Sequence, residues 1–323
     1  MAATTVVRMR AGCFAEFGDA SVMHVAERVA PRPPRGSELL VAVHASSVNG
    51  TDLGLRRGDL KPITWGRMPY VPGFDLAGEV MARGPEVTAF EVGDRVAALL
   101  PHRGGGLAER VLVEQDRAAR VPDAVAAVDA AAVPLAGLTA LQALYRLGRV
   151  AAAPRTGSPP RVLVVGGAGG IGSFAVQLGT LAGAAVTATT SGPKVGWVED
   201  LGAARVVDRH RTDLAAAGEQ FDVVLDAPGR STHRDLRPLL AVGGRMVSVR
   251  PLHPDTLRRL GRRDFAAVRT AARSQDLAHL LDLVATGRLR VRVEHVVGLA
   301  DVARAHELAE SEGRGKVVVD LTR

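Results

Sequence analysis

Residues 161–172 read Arg-Val-Leu-Val-Val-Gly-Gly-Ala-Gly-Gly-Ile-Gly, and this stretch decides the fold. An apolar strand over 162–165 runs into a glycine pattern, G-x-G-x-x-G, that opens a helix of small residues. In that context the pattern predicts dinucleotide binding, because glycines allow a tight turn and close approach of a pyrophosphate, and a helix N-terminus offers free amides. The predicted cofactor contacts are Gly167, Ala168, Gly169, Gly170 and Ile171.

The end of the second strand, residues 185–189, bears on which dinucleotide binds. An NAD enzyme places Asp or Glu there to hold the ribose hydroxyls, yet residues 130–198 contain no acid. The strand is followed instead by Ser191 and Lys194, one of only three lysines. A hydroxyl and an ammonium bind a 2'-phosphate through charge-assisted hydrogen bonds. The sequence therefore predicts NADP(H), with Arg209 as a second phosphate contact and a solvated loop lysine as the alternative reading of Lys194.

Length, hydropathy, cysteine count and charge limit the classes of protein to which the chain can belong. The 323 residues are enough for two domains, and no apolar run has the length of a membrane-spanning helix or the character of a signal peptide. With Cys13 as its single cysteine, the chain is expected to be a soluble, cytoplasmic protein without a membrane partner or disulfide. Aromatic residues make up 3% and no nucleic-acid-binding motif accompanies the net charge of +7, so we expect no nucleic-acid partner.

Two kinds of secondary structure divide the chain. The first ~120 residues are predicted to form short strands separated by glycine and proline. After the glycine stretch, strands and helices alternate through residue 285, which predicts an α/β fold with a parallel, doubly wound sheet. The last strand, 316–321, has no evident partner in that sheet, so we expect it to join the N-terminal module.

A series of short motifs extends over nearly the whole chain. The motifs are Ser47-Val48-Asn49-Gly50-Thr51-Asp52, Val71-Pro72-Gly73-Phe74-Asp75-Leu76-Ala77-Gly78, Gly93-Asp94-Arg95-Val96, Leu107-Ala108-Glu109, Ala136-Gly137-Leu138-Thr139-Ala140, the glycine pattern, Leu225-Asp226-Ala227-Pro228-Gly229 and Gly315-Lys316-Val317-Val318. In this order they resemble the medium-chain dehydrogenase/reductase superfamily, in its zinc-free quinone oxidoreductase and enoyl reductase branch.

The resemblance implies two domains. Residues 1–124 plus 288–323 would form a mainly β, GroES-like catalytic domain, and residues 125–287 an NADP-binding Rossmann domain inserted in it, with the active site in the cleft. It also implies cofactor contacts at Thr139 and Lys316, with a strand-edge lysine as the alternative for Lys316. A homodimer is expected through the Rossmann edge strand, 265–268.

The positions of the zinc ligands differ from those of zinc-dependent relatives. Catalytic zinc takes thiolate and imidazole ligands, and the resemblance aligns their cysteine with Asn49 and their histidine with Phe74. Their third ligand falls near residues 134–136, which supply none. The sequence therefore predicts a protein without a metal.

Without a metal, hydrogen-bond donors must stabilise the negative charge that develops on the acceptor oxygen. By resemblance Asn49 is the first candidate, and a buried loop amide is its alternative. The tyrosine that many relatives carry soon after Asn-x-x-Asp is missing from residues 54–60. Tyr70 is therefore the second candidate, with a packed ring as its alternative. Trp65, His102 and Arg103 are predicted to line the substrate pocket, and a solvated loop is the alternative for His102.

Together these features predict an NADPH-dependent, zinc-independent oxidoreductase that transfers hydride to a quinone or an α,β-unsaturated carbonyl compound (an enone or enoyl group). The motifs do not separate the two acceptors. The missing tyrosine motivates an alternative, a non-catalytic structural or regulatory protein that binds the cofactor without turnover.

Overall fold

In a computed structural model of the chain, residues 7–64, 66–150, 158–212, 214–250, 253–311 and 315–323 are described. The chain divides into two compact units, of which the first comprises Met1–Leu135 and Ala272–Arg323 and the second Ala136–Ala271. No helix in the described ranges is long and apolar enough to cross a membrane.

The elements are numbered in chain order. The strands are β1 (Arg8–Cys13), β2 (His24–Val29), β3 (Glu38–Val48), β4 (Asp75–Arg83), β5 (Arg95–Leu99), β6 (Arg110–Glu114), β7 (Ala118–Arg120), β8 (Arg161–Val165), β9 (Ala185–Thr190), β10 (Arg205–Asp208), β11 (Phe221–Asp226), β12 (Leu240–Ser248), β13 (Phe265–Ala267), β14 (Val293–Gly298) and β15 (Lys316–Asp320). The helices are α1 (Gly50–Arg57), α2 (Lys61–Thr64), α3 (Ala127–Ala131), α4 (Pro134–Leu141), α5 (Gly170–Leu181), α6 (Val195–Glu199), α7 (His233–Leu236), α8 (Pro254–Leu257), α9 (Ser274–Ala285) and α10 (Val302–Glu310).

The second unit contains a six-stranded parallel sheet in the order β10-β9-β8-β11-β12-β13. Numbered from β8, this is the 3-2-1-4-5-6 order of the Rossmann fold, so the predicted parallel sheet is confirmed. Apolar side chains such as Leu163, Phe221 and Val224 are almost completely buried in its core. The order puts β8 and the turn after it at the centre of the sheet, where the strand order reverses.

The first unit contains a mainly antiparallel sheet in the order β14-β15-β3-β4-β5-β7, with β6 also paired to β3. Strand β15 pairs antiparallel with β3, from Val317 opposite Val48 to Asp320 opposite Ala45. The expectation that the last strand joins the N-terminal module is therefore confirmed. Because β15 lies inside the sheet between β14 and β3, Lys316 is not an edge residue.

The boundaries between the two units differ from those predicted by sequence. The sequence placed the boundaries after residues 124 and 287, whereas the chain passes from one compact unit to the other after Leu135 and after Ala271. Helix α3 packs against β3 and β4, and α9 packs against β7, so both helices belong to the first unit. Their apolar, helical sequences carry no signal of which sheet they cover.

Helices α1 and α10 are joined by an arginine that the sequence did not single out. Arg56 is fully buried, and its Nη2 group donates to the carboxylate of Glu310. In the described part of the chain, Arg56 Nε and Nη1 and both ring nitrogens of His306 have no hydrogen-bond partner. Burial lowers the pKa of His306 to about 3, so the ring is neutral and Glu310 compensates the arginine.

Candidate functional site

The glycine turn after β8 is held by backbone contacts to β9. Gly166 has a φ of 76° and donates to Thr189 Oγ1 at 3.2 Å, while Gly167 donates to the Thr189 carbonyl at 2.9 Å. The left-handed residue is thus Gly166, which precedes the three glycines of the pattern. Gly167 serves packing instead, since an added Cβ would lie 2.9 Å from Ala188 Cβ.

The start of α5 has the shape that a pyrophosphate requires. Gly169 is the N-cap residue and no side chain caps the helix, so the first amides keep their donors available. An added Cβ on Gly172 would meet the Gly166 carbonyl oxygen at 2.1 Å, whereas one on Gly169 would have only that oxygen near it, at 3.5 Å. The open space beside Gly169 and the uncapped helix fit a bound dinucleotide phosphate.

The loop after β9 carries the predicted 2'-phosphate contacts. Ser191 and Lys194 lie in one turn, in which the Lys194 amide donates to the Ser191 carbonyl at 2.9 Å. Arg209 is exposed and follows β10, the strand next to β9. Sequence reasoning did not identify Asp208, at the end of β10, as a residue of this site. Its Oδ2 atom would lie 2.8 Å from a Cβ added to Gly192. A carboxylate from the third strand therefore lies beside the loop, which no inspection of the second strand could reveal.

Two further polar groups of the second unit are buried. Thr139 shares a hydrogen bond of 2.7 Å with the hydroxyl of Thr270, so this predicted cofactor contact is anchored within its own unit. Asp226, at the end of β11, is fully buried and accepts the Ser231 amide at 2.9 Å. Its Oδ1 has no hydrogen-bond partner among the described residues, and burial raises the pKa of the carboxyl.

In the first unit, the carboxylate of Asp75 is the centre of a buried polar network. Asp75 is fully buried and accepts hydrogen bonds from the Ser47 hydroxyl, from Asn49 Nδ2 at 2.9 Å and from the Leu135 amide at 2.7 Å. The Lys316 ammonium lies 3.6 Å from Asp75 Oδ2 and donates to Asn49 Oδ1. The network therefore joins the N-terminus of α1, the start of β4 and the start of β15.

Asn49 is held at both ends of its side-chain amide. Its Nδ2 group donates to Asp75 and, at 3.2 Å, to the Ser47 carbonyl, while Lys316 donates to Oδ1. Because the lysine has no acceptor, it fixes which end of the amide is the oxygen. The geometry matches the alternative of a satisfied buried amide, since both N–H groups of the predicted donor already have acceptors.

Asp52 caps the N-terminus of helix α1 and is almost completely buried. Its two carboxylate oxygens accept the amides of Gly73 at 2.8 Å and Asn49 at 2.9 Å. Burial is the largest influence and raises the pKa of Asp52 to about 7, although both amides and Lys316 act in the opposite direction. Burial of Lys316 lowers the pKa of its ammonium group, and the nearby carboxylates of Asp75 and Asp52 act in the opposite direction.

The raised pKa of Asp52 predicts a dependence of stability on pH. Between the ordinary value of 3.8 and about 7, the folded state retains a proton that the unfolded state has released, so stability falls as pH rises through this window. The difference amounts to about 4 kcal/mol at most. We expect Asp52→Asn to flatten the curve, measured as the free energy of urea unfolding from pH 4 to pH 7. Asp123→Asn, at a fully exposed carboxylate, should leave the slope as in the wild type, and parallel curves for Asp52→Asn would contradict the assignment.

Tyr70 and the loop after β5 form a second fixed region. The Tyr70 ring is buried against Phe14, and its hydroxyl donates to the His102 carbonyl at 2.8 Å. Burial raises the pKa of the phenol well above its usual range. Tyr70 thus matches the alternative of a packed ring. The glycines of the loop are held in place, because the amides of Gly105 and Gly106 donate to carbonyls of the 71–73 turn.

The residues predicted to line the substrate pocket lie on the loop after β5 or outside the described residues. The side chains of His102 and Arg103 are exposed on the loop after β5. Trp65 lies outside the described residues. Two of the positions that align with zinc ligands lie at one carboxylate, because Asp75 accepts hydrogen bonds from Asn49 and from the Leu135 amide. Within the described ranges, no group of three or more His, Cys, Asp and Glu side chains has the geometry to hold a metal ion.

Two family models match the chain. The alcohol dehydrogenase GroES-like domain matches residues 35–123, and the model described as zinc-binding dehydrogenase matches residues 201–319. Among proteins of known description, the chloroplast envelope quinone oxidoreductase homolog of Arabidopsis thaliana is 30% identical over 317 residues, which cover 94% of this chain and 95% of that protein. The chloroplastic quinone-oxidoreductase homolog of Spinacia oleracea is 33% identical over 72% of each chain.

Solved structures give the same result. The quinone oxidoreductase from Coxiella burnetii superposes with a TM-score of 0.88 at 28% identity, covering 98% of this chain and 100% of that one. The Escherichia coli quinone oxidoreductase, solved in complex with NADPH, has a TM-score of 0.80 at 26% identity and covers 96% and 99% of the two chains. Sequence, topology and these likenesses agree over both units, and the chain belongs to the medium-chain dehydrogenase/reductase superfamily, in its quinone oxidoreductase branch.

Proposed function

We propose that the protein is an NADPH-dependent, zinc-independent reductase of quinones or α,β-unsaturated carbonyl compounds. The observation that carries the proposal is the turn at Gly166–Gly172, where an uncapped helix begins beside a glycine that leaves open space. Membership of the quinone oxidoreductase branch supports hydride transfer to such an acceptor. A bound NADPH supplies the hydride, and the chain binds and orients the reactants.

The preference for NADP(H) rests on charge beside the loop 191–194. Lys194, Arg209 and Arg211 bring three cations to the segments that follow β9 and β10, where Asp208 brings a carboxylate. Arg211 also lies 3.7 Å from Asp208 Oδ2, which reduces the repulsion of this carboxylate toward an anion. A 2'-phosphate gains charge-assisted hydrogen bonds from such a set, and a ribose hydroxyl gains much less.

A variant of Lys194 tests this preference. Lys194→Gln is expected to raise the KM for NADPH by about 10–100-fold, the value of one hydrogen bond to a charged group, and to leave the KM for NADH unchanged. Asp208→Asn should shift the preference further toward NADPH. Steady-state rates at low concentrations of each cofactor measure both effects, with Lys61→Gln, an exposed lysine of the first unit, as control. Equal effects on the two cofactors would contradict the proposal.

Zinc independence rests on the network around Asp75. Lys316 brings its ammonium group to the carboxylate, and the amide oxygen of Asn49 already accepts a hydrogen bond from that lysine. We infer that Lys316 and Asp75 orient Asn49 rather than hold a metal. Activity that survives prolonged chelation, and that added Zn²⁺ does not raise, is the expected result.

The acceptor class is open to a direct assay. Purified protein is screened with NADPH against a panel of quinones and a panel of enones, and oxidation of NADPH with one panel assigns the class. The alternative without turnover gains support from the engaged amide of Asn49 and the engaged hydroxyl of Tyr70. Tight NADPH binding with no oxidation against either panel would favour it. The homodimer and the cytoplasmic location stay predictions of the sequence.

A further inference from the structure

A pocket of the second unit lies away from the glycine turn. It has a volume of about 580 Å³ and is lined at the amino ends of three parallel strands. Gln220 precedes β11, Gly243 lies in the first half of β12, and Arg263 precedes β13. The glycine turn follows the carboxyl end of β8. Since parallel strands share one direction, the pocket lies at the opposite edge of the sheet from the predicted dinucleotide site.

Three arginines converge on this pocket. Arg234 belongs to α7, Arg237 follows three residues later on the same face, and Arg263 enters from the segment before β13. No hydrogen bond or ion pair to a described residue holds any of these guanidinium groups. The neighbouring Arg245 differs, because it donates to the carbonyls of Arg263 and Leu147 at 3.0 Å each.

The carboxylates near the pocket are engaged elsewhere. Asp264, the one acid of the lining, contacts Arg262 at 3.1 Å and His233 at 3.2 Å. Asp235, next to Arg234 in sequence, accepts the amide and the hydroxyl of Thr232. These two hydrogen bonds from Thr232 lower the pKa of the Asp235 carboxyl most, and the charge of Arg234 also lowers it. No carboxylate of the described residues forms an ion pair with the three arginines, and this concentrates positive potential in a concave surface.

The chemistry of the lining identifies a class of ligand. Guanidinium groups bind phosphate oxygens in a bidentate manner, and Gln220 adds an amide donor. Pro238 and Leu240 add apolar surface to the same lining, and the volume lies in the range that small organic ligands occupy. We propose that this pocket binds a small organic phosphate, at a site separate from the dinucleotide site.

Calorimetric titration with inorganic diphosphate at low ionic strength tests the proposal. The wild type is expected to bind it, with an affinity that falls as NaCl is added. The triple variant Arg234→Gln/Arg237→Gln/Arg263→Gln should bind at least about tenfold more weakly, since each lost charge-assisted contact contributes a factor of that size. Arg258→Gln, an exposed arginine outside the lining, is the matched control and should bind as the wild type does.

Each other outcome overturns the proposal. No binding by the wild type excludes the site, and equal binding by the wild type and the triple variant places the diphosphate elsewhere, for example at the N-terminus of α5. Circular dichroism checks that the triple variant folds. Should it fail to fold, the three single variants decide by the same comparison. No readout depends on NADPH oxidation, so the result is independent of the proposed reductase activity.

Discussion

Replacing Lys316 by methionine is expected to lower the free energy of unfolding by about 3–5 kcal/mol. The substitution removes the only cation that contacts the fully buried carboxylate of Asp75 among the described residues. It also frees Oδ1 of Asn49, which loses the donor that sets the orientation of its amide. The midpoint and slope of urea unfolding measure the effect.

The control for this variant is Lys61→Met, at an exposed lysine that lies over the Phe17 ring at 5.3 Å. We expect a loss of about 1 kcal/mol or less there. Adding Asp75→Asn to Lys316→Met should recover part of the stability, because the buried charge is then gone, and a double-mutant cycle gives the coupling. A loss below about 1 kcal/mol for Lys316→Met would contradict the assignment of a stabilising buried ion pair.

Gly172→Ala is expected to weaken NADPH binding by about 100-fold or more, equivalent to about 3 kcal/mol. Its Cβ would lie 2.1 Å from the carbonyl oxygen of Gly166, so α5 must move away from the turn that presents its amides. The displacement should also cost about 1–3 kcal/mol of stability, as overpacking of a tight interface does. Fluorescence titration with NADPH and thermal unfolding measure the two effects.

Gly196→Ala, in the same unit, is the matched control. An added Cβ at Gly196 would meet nothing within 4 Å, and the residue lies inside α6. Alanine there is expected to stabilise the helix by about 0.5–1 kcal/mol, without a change in cofactor affinity. An unchanged affinity in Gly172→Ala would show that the turn at 166–172 does not hold the cofactor.

The sequence predicted the Rossmann sheet because its signals are local. Strand, glycine turn and helix succeed each other within residues 161–181, and parallel strands then follow from the alternation. The same argument correctly assigned β15 to the N-terminal module, since the parallel sheet left it without a partner. Helices α3 and α9 pack in the first compact unit, and the sequence carried no signal for this because an apolar helix does not indicate which sheet it packs on.

The hydrogen bonds of the network around Asp75 could not be predicted from the sequence, for a different reason. Asn49 and Lys316 are 267 positions apart, and both were named only as separate contacts for substrate and cofactor. Their hydrogen bond depends on β15 lying beside β3, which fixes the lysine over the N-terminus of α1. Asp208 and Gly166 were missed because the pattern directs attention to the end of the second strand and to three particular glycines.

The position of β15 also sets an order of folding during synthesis. The pairing of Val48 with Val317 joins residues that leave the ribosome about 13–54 s apart at about 5–20 residues per second. All of Ala136–Ala271 is made within that interval, so the second unit is free to fold while residues 45–48 still await their partner strand. An unpaired strand of this kind is a template for association with other chains. Residues 45–48 therefore stay an open strand edge, to which another chain can pair, until β15 has been made.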